Sequence, residues 1–77
     1  MWLTAAVANQ IRAEMVANVW RVLVRPGDAV EAGAAVAILE SMKMEIPVES
    51  PMAGVVTRVL VEEGAVVQEG DVVAVVE

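Results

Sequence analysis

The chain contains no cysteine and no histidine, and neither phenylalanine nor tyrosine. Without cysteine there is no disulfide framework, no thiolate nucleophile and no zinc–cysteine site. Without histidine there is no imidazole base and no Ser-His-Asp triad, and a transition metal would have to rest on carboxylates alone. The composition therefore argues against an enzyme. Cations are scarce as well: five Lys and Arg stand against eleven Asp and Glu, for a net charge of −6. Such a surface, with two Trp as its only aromatic residues, offers little to nucleic acid or to an anionic membrane; a basic protein surface suits it better. Long apolar runs are also missing. The longest, Ala32 to Leu39, is eight residues and half alanine, too short to cross a bilayer. Near the start, Ala6-Val7-Ala8 resembles a signal-peptidase site, but no positive stretch precedes it and the apolar segment is short. Residues 1–10 are read as a loosely held leader, residues 11–77 as one domain, and the protein as cytoplasmic.

What the chain has in abundance is valine, at 18 of 77 positions, with three Ile and four Leu. Ordering a chain costs about 1.5 kcal/mol per residue, so one this short must bury nearly every aliphatic side chain in a single core. The valines are also patterned. Shifted by 37 positions, Ala13 to Glu40 aligns with Ser50 to Glu77 without a gap, and 12 of the 28 pairs are identical. Arg21-Val22-Leu23-Val24 recurs as Arg58-Val59-Leu60-Val61, and Gly27 and Gly33 recur as Gly64 and Gly70. Paired glycines at one spacing point to repeated turns that need positive φ.

Each copy reads as strand, glycine turn, short extended piece, second glycine turn and closing strand. In the first copy the strands are Asn18 to Val24 and Ala35 to Glu40; the second copy runs from Gly54 to Glu77. β-branched residues and closely spaced turn signals disfavour helix, although an Ala-rich amphipathic helix over Ala5 to Val16 competes at the start. The expected fold is all-β: two pseudo-twofold-related four-stranded sheets packed face to face as a flattened barrel or sandwich. The connection between copies, Ser41 to Glu49, falls at one end.

That connection holds Lys43, the only lysine, against arginines at 12, 21, 25 and 58. A primary amine is the one nucleophile this composition retains apart from the N-terminus, and arginine cannot replace it in acyl transfer. Lysines on exposed turns most often serve only solubility. Here, however, Glu40-Ser41-Met42-Lys43-Met44-Glu45 bends between two strands with no Gly, Asn or Asp, in violation of hairpin turn chemistry, and such violations cluster at functional sites. Met42 and Met44 flank a charged tip, so both cannot easily serve as core filler, and exposed Met suits adaptable recognition.

With these residues assembled, the stretch from about Ile11 to Glu77 resembles the biotinyl/lipoyl attachment domain, specifically the biotin carboxyl carrier type with its Met-Lys-Met signature. Lys43 matches the lysine that family biotinylates, Met42 and Met44 its flanking methionines, and Glu40 the acidic residue three positions before. Pro51, Gly54 and the four turn glycines match the pattern as well. Ser41 stands where Ala is common. The chain passes directly from Val24 through Arg25, Pro26, Gly27 and Asp28, which leaves no room for the protruding thumb of some carrier subunits.

The resemblance implies a fold that holds the lysine on a hairpin tip, and biotin as covalent cofactor on Lys43. It implies that Met42, Met44, Glu40 and Ser41 serve recognition by a biotin-protein ligase and by partners. Those partners would be biotin carboxylase and carboxyltransferase subunits, between which the carrier moves a carboxyl group as a free monomer without catalysing anything itself. The chain reads either as a free-standing small carrier or as the excised end of something larger, and the initiating Met close to the domain favours the former. Two other readings stay open: a lipoyl carrier of a 2-oxoacid dehydrogenase or glycine-cleavage system, and an unmodified β interaction module. Glu40 and Glu45 lie close enough to the tip to steer docking, with plain solvated charge as the equal alternative, and Glu49 is read as solvated charge. Glu62, Glu63, Glu69 and Asp71 are read as solubilising charge.

Overall fold

The computed structural model describes residues 8–77, which form eight strands: β1 (Asn9–Arg12), β2 (Ala17–Val22), β3 (Ala29–Val30), β4 (Ala35–Ser41), β5 (Met44–Glu49), β6 (Gly54–Val59), β7 (Val66–Val67) and β8 (Val72–Val76). They assemble as two antiparallel sheets, β5-β4-β2-β7 and β1-β8-β6-β3. Of the two forms left open by the sequence, this is the sandwich; the sheets do not close into a barrel.

The 37-residue shift carries one sheet onto the other pair by pair. Val19 opposite Leu39 becomes Val56 opposite Val76, and Ala17 opposite Val67 becomes Gly54 opposite Val30. β5 and β1 are also equivalent: Ile46 opposite Leu39 corresponds to Asn9 opposite Val76. The twofold thus extends upstream of the aligned repeat, and the described part of the expected leader, Asn9 and Gln10, belongs to a strand. Residues 1–7 of that leader lie outside the described residues. The competing helix is absent from the part of its span that is described, where β1 gives way to a bend at Glu14–Val16.

The halves are locked together through their glycine turns. Gly27 donates its N–H to the Val56 carbonyl and Gly64 to that of Val19, while Gly33 and Gly70 donate to Ser50 and Ala13. All four glycines sit at φ between 87° and 98°, where a Cβ would be strained. Gly54 is needed for a different reason. A Cβ there would lie 2.6 Å from the Glu77 carbonyl oxygen.

The core is built of twofold mates: Val19 and Val56, Val36 and Val73, Leu39 and Val76, each at most 1% exposed. Burying side chains of this size contributes roughly 1.5 to 3 kcal/mol apiece. Bulges sharpen this economy. Val36 and Val73 are extra residues in β4 and β8, so each strand turns two successive side chains inward, Val36-Ala37 and Val73-Ala74. Bulges in β2 and β6 do the reverse, placing Trp20-Arg21 and Thr57-Arg58 between inward-facing valines. These paired distortions bend both sheets around the same core.

Candidate functional site

β4 and β5 form a hairpin whose last pair is Ser41 opposite Met44, which leaves Met42 and Lys43 as a two-residue loop. Their φ values are 54° and 65°. Positive φ at both central residues is the geometry that matches the strand twist, and it normally selects Asn-Gly or Gly-Gly. A side chain in that region costs roughly 1 to 2 kcal/mol. Among the described residues, Met42 and Lys43 are the non-glycine positions with positive φ.

This turn aims side chains into solvent. Lys43 is exposed, Met42 is 92% exposed and Met44 64%. Ser41 is half-buried where the loop joins the stem. One step further down, half-buried Glu40 lies directly opposite exposed Glu45, and like charges so placed repel. Glu49 is at the base of the hairpin opposite Ala35, five residues from the closing pair. The fold therefore gathers Glu40, Ser41, Met42, Lys43, Met44 and Glu45 at one end and leaves Glu49 outside that group.

No wall surrounds the amine. A groove of about 570 Å³ opens between β1 and β5, lined in part by Gln10, Arg12, Ile46 and Pro47, and none of Glu40 to Glu45 lines it. Among the described residues no three metal-ligating side chains cluster, and no helix is long and apolar enough to cross a membrane. An exposed primary amine on a short, stiff loop fits a group held covalently rather than one held in a pocket.

Several acidic residues have structural work that the sequence pattern did not show. Glu63 Oε2 accepts the Val22 N–H at 3.0 Å, and Asp71 and Asp28 accept the N–H groups of Gln68 and Arg25, each at 2.8 Å, which fixes the turns around Gly70 and Gly27. The Ser50 hydroxyl, buried after β5, donates to the Met52 carbonyl at 2.6 Å and shapes the turn into β6. Arg21 places its guanidinium 5.0 Å from the centre of the Trp20 ring. Nothing in the sequence distinguished that Trp from a core residue.

Comparison with known proteins agrees with this geometry. The sequence model of a family described as "Biotin-requiring enzyme" matches residues 8–76. The biotin/lipoyl attachment protein of Bacillus subtilis is 52% identical over 42 residues, spanning 54% of this chain and 58% of that one. A biotinylated protein TB7.3 homolog of Mycobacterium leprae is 49% identical over 49 residues, 64% of this chain and 69% of that one. Among solved structures, urea carboxylase of Kluyveromyces lactis superposes with a TM-score of 0.88 at 34% identity, over 99% of this chain and 7% of that one. A single-chain, multi-domain long-chain acyl-CoA carboxylase gives 0.85 at 33%, over 97% and 8%. The chain belongs to the biotin/lipoyl attachment family. Within it, this is a biotin carrier domain, homologous to biotinylated carrier proteins and to domains of biotin-dependent carboxylases. The chain thus matches little over half the length of the first of these relatives and less than a tenth of each carboxylase.

Proposed function

We propose that Lys43 is the residue that carries biotin, attached by a biotin-protein ligase, and that the loaded domain serves biotin carboxylase and carboxyltransferase sites in the cytoplasm. The observation that carries this reading is the placement of the chain's only lysine, flanked by two exposed methionines, on a two-residue turn in a domain of the biotin carrier family. The Lys43 Nζ forms an amide with the acyl carbon of an activated biotinyl-adenylate; the acyl–phosphate C–O bond breaks, AMP leaves, and the ammonium proton passes to a base of the ligase. When bound, biotin supplies a ureido nitrogen that takes up and releases a carboxyl group, chemistry that belongs to the cofactor. The chain's own part is mechanical. The hairpin holds the amine away from the sandwich, the positive-φ turn limits the directions it explores, and Met42 and Met44 give partners a soft apolar surface on both sides.

Intact mass after incubation with a biotin-protein ligase, ATP and biotin tests the assignment. One biotinyl increment, lost in Lys43→Arg, is the expected result. A lipoyl increment with a lipoyl ligase in its place, or no increment with either, overturns it.

A further inference from the structure

The pseudo-twofold supplies an internal control, because each surface position in one sheet has a counterpart in the other that obeys the same backbone geometry. At the level of the β2 and β6 bulges, the outer face of the hairpin sheet carries Pro47, Ile38, Arg21 and Trp20, and the other sheet carries Gln10, Val75, Arg58 and Thr57 at the same positions. Trp20 is 41% exposed, and its counterpart Thr57 instead turns its hydroxyl to the Val75 carbonyl at 3.4 Å. Ile38 is half-buried and Pro47 exposed, whereas Val75 is buried and Gln10 polar. Leu23 and Leu60 are exposed alike in both halves and cancel in the comparison. The fold therefore does not require an aromatic here, since its own second half solves the same bulge with threonine.

The patch is continuous with the tip. Trp20 lies beside Ile38 and Leu39 of β4, roughly 13 Å along the strand from Lys43 at about 3.3 Å per residue. The facing Glu40 and Glu45 lie between them, on the same outer side as Ile38 because Leu39 points into the core. From tip to base this face reads amine, two carboxylates, then a step of Trp20, Ile38 and Pro47 with the Arg21 guanidinium 5.0 Å from the Trp20 ring centre.

We propose that the biotin-protein ligase's contact, which the family resemblance already implies at Glu40 and the tip, extends down this face, with Trp20 as its apolar anchor and Glu45 joining Glu40 in pairing with cationic groups on the ligase. The inference rests on the assignment of Lys43 above. Charge complementarity and reach favour this occupant. A chain of net charge −6 with two carboxylates on the face suits a basic surface, and direct acyl transfer to Nζ brings the ligase against the hairpin stem. A partner met later by the loaded domain is reached through the length of the attached arm. Tryptophan is the residue most able to anchor such a contact.

Steady-state biotinylation of purified carrier by a bacterial biotin-protein ligase tests the proposal. Trp20→Thr installs the residue found at the counterpart position and is expected to raise the KM for carrier about tenfold with kcat unchanged, while Trp20→Phe retains most of the wild-type KM. Thr57→Trp, on the far sheet, is expected to change nothing. Glu40→Gln with Glu45→Gln raises KM about threefold at low salt, and the difference shrinks at high salt. Unchanged KM in Trp20→Thr, or an equal effect from Thr57→Trp, overturns the proposal. So does concentration-dependent self-association of the wild type that Trp20→Thr abolishes, which would make a second copy the occupant. Failure of the wild type to accept biotin is seen first, before any variant is compared, and overturns the assignment of Lys43 itself.

Discussion

The β4–β5 hairpin and the β8–β1 pair are the same structure built twice, once joined and once not. In both, a bulged strand pairs with an edge strand in identical register, from Leu39 with Ile46 to Ala35 with Glu49, and from Val76 with Asn9 to Val72 with Arg12. In the first pair, Met42 and Lys43 connect the strands; in the second, β8 leads to Glu77 and β1 comes from the other end of the described chain. The sandwich core needs only the pairing. The joint is the part that packing does not account for, and among the described residues it alone contains side chains at positive φ. The comparison separates what the fold requires from what the tip contributes, and seven substitutions can break or sharpen it.

The largest expected effect is Lys43→Arg: complete loss of the biotinyl increment by intact mass, with a melting temperature within about 2 to 4 °C of wild type, since the side chain is exposed and such changes stay within about 0.5 kcal/mol. Residual labelling would mean that another amine is the acceptor. Next, Leu39→Ala is expected to lower stability by about 2 to 5 kcal/mol in urea unfolding, and Val76→Ala at the mate position by about 1 to 2, because the smaller residue leaves a smaller cavity. Equal losses would show that the volume removed does not set the cost at these two positions. Gly54→Ala pushes a methyl against the Glu77 carbonyl and should cost about 1 to 3 kcal/mol. The reciprocal Ala17→Gly, at its counterpart, should cost only about 0.5 to 1. Met42→Gly removes a side chain from the left-handed region and is expected to raise stability by about 0.5 to 1 kcal/mol. A loss of stability there would show that the Met42 side chain supports the turn. Smallest is Glu40→Gln, which relieves repulsion with Glu45 and should stabilise by a few tenths of a kcal/mol at low salt, about 0.2 to 0.5; thermal melts at two ionic strengths measure it.

Much of the architecture was legible in the sequence because it is repeated there. Four glycines in two matched pairs announced four positive-φ turns, and the absence of a turn residue around Lys43 announced a strained bend. β1 escaped notice because pairing at an edge uses backbone groups and asks little of side chains. Asn9, Gln10, Ile11 and Arg12 share no identity with Ile46, Pro47, Val48 and Glu49. The outward face of Trp20 was hidden by the bulge, which inserts one residue and breaks the two-residue alternation used to assign faces. The need for Gly54 arises from Glu77, 23 residues away, and no local pattern encodes it. At the tip, the composition isolated Lys43 and its methionines, while the opposition of Glu40 and Glu45 required the register.

The exchange of hydrogen bonds between glycine turns and opposite strands has a temporal side. β4, which leads into the turn that holds Lys43, rests on β2, and β2 is held on its far side by β7 and by the Gly64 turn. A nascent chain whose lysine has just emerged still lacks those supports, so the hairpin gains its full backing only once residues 64–67 have followed. Rigid presentation of the Lys43 amine is thereby tied to completion of the whole sandwich.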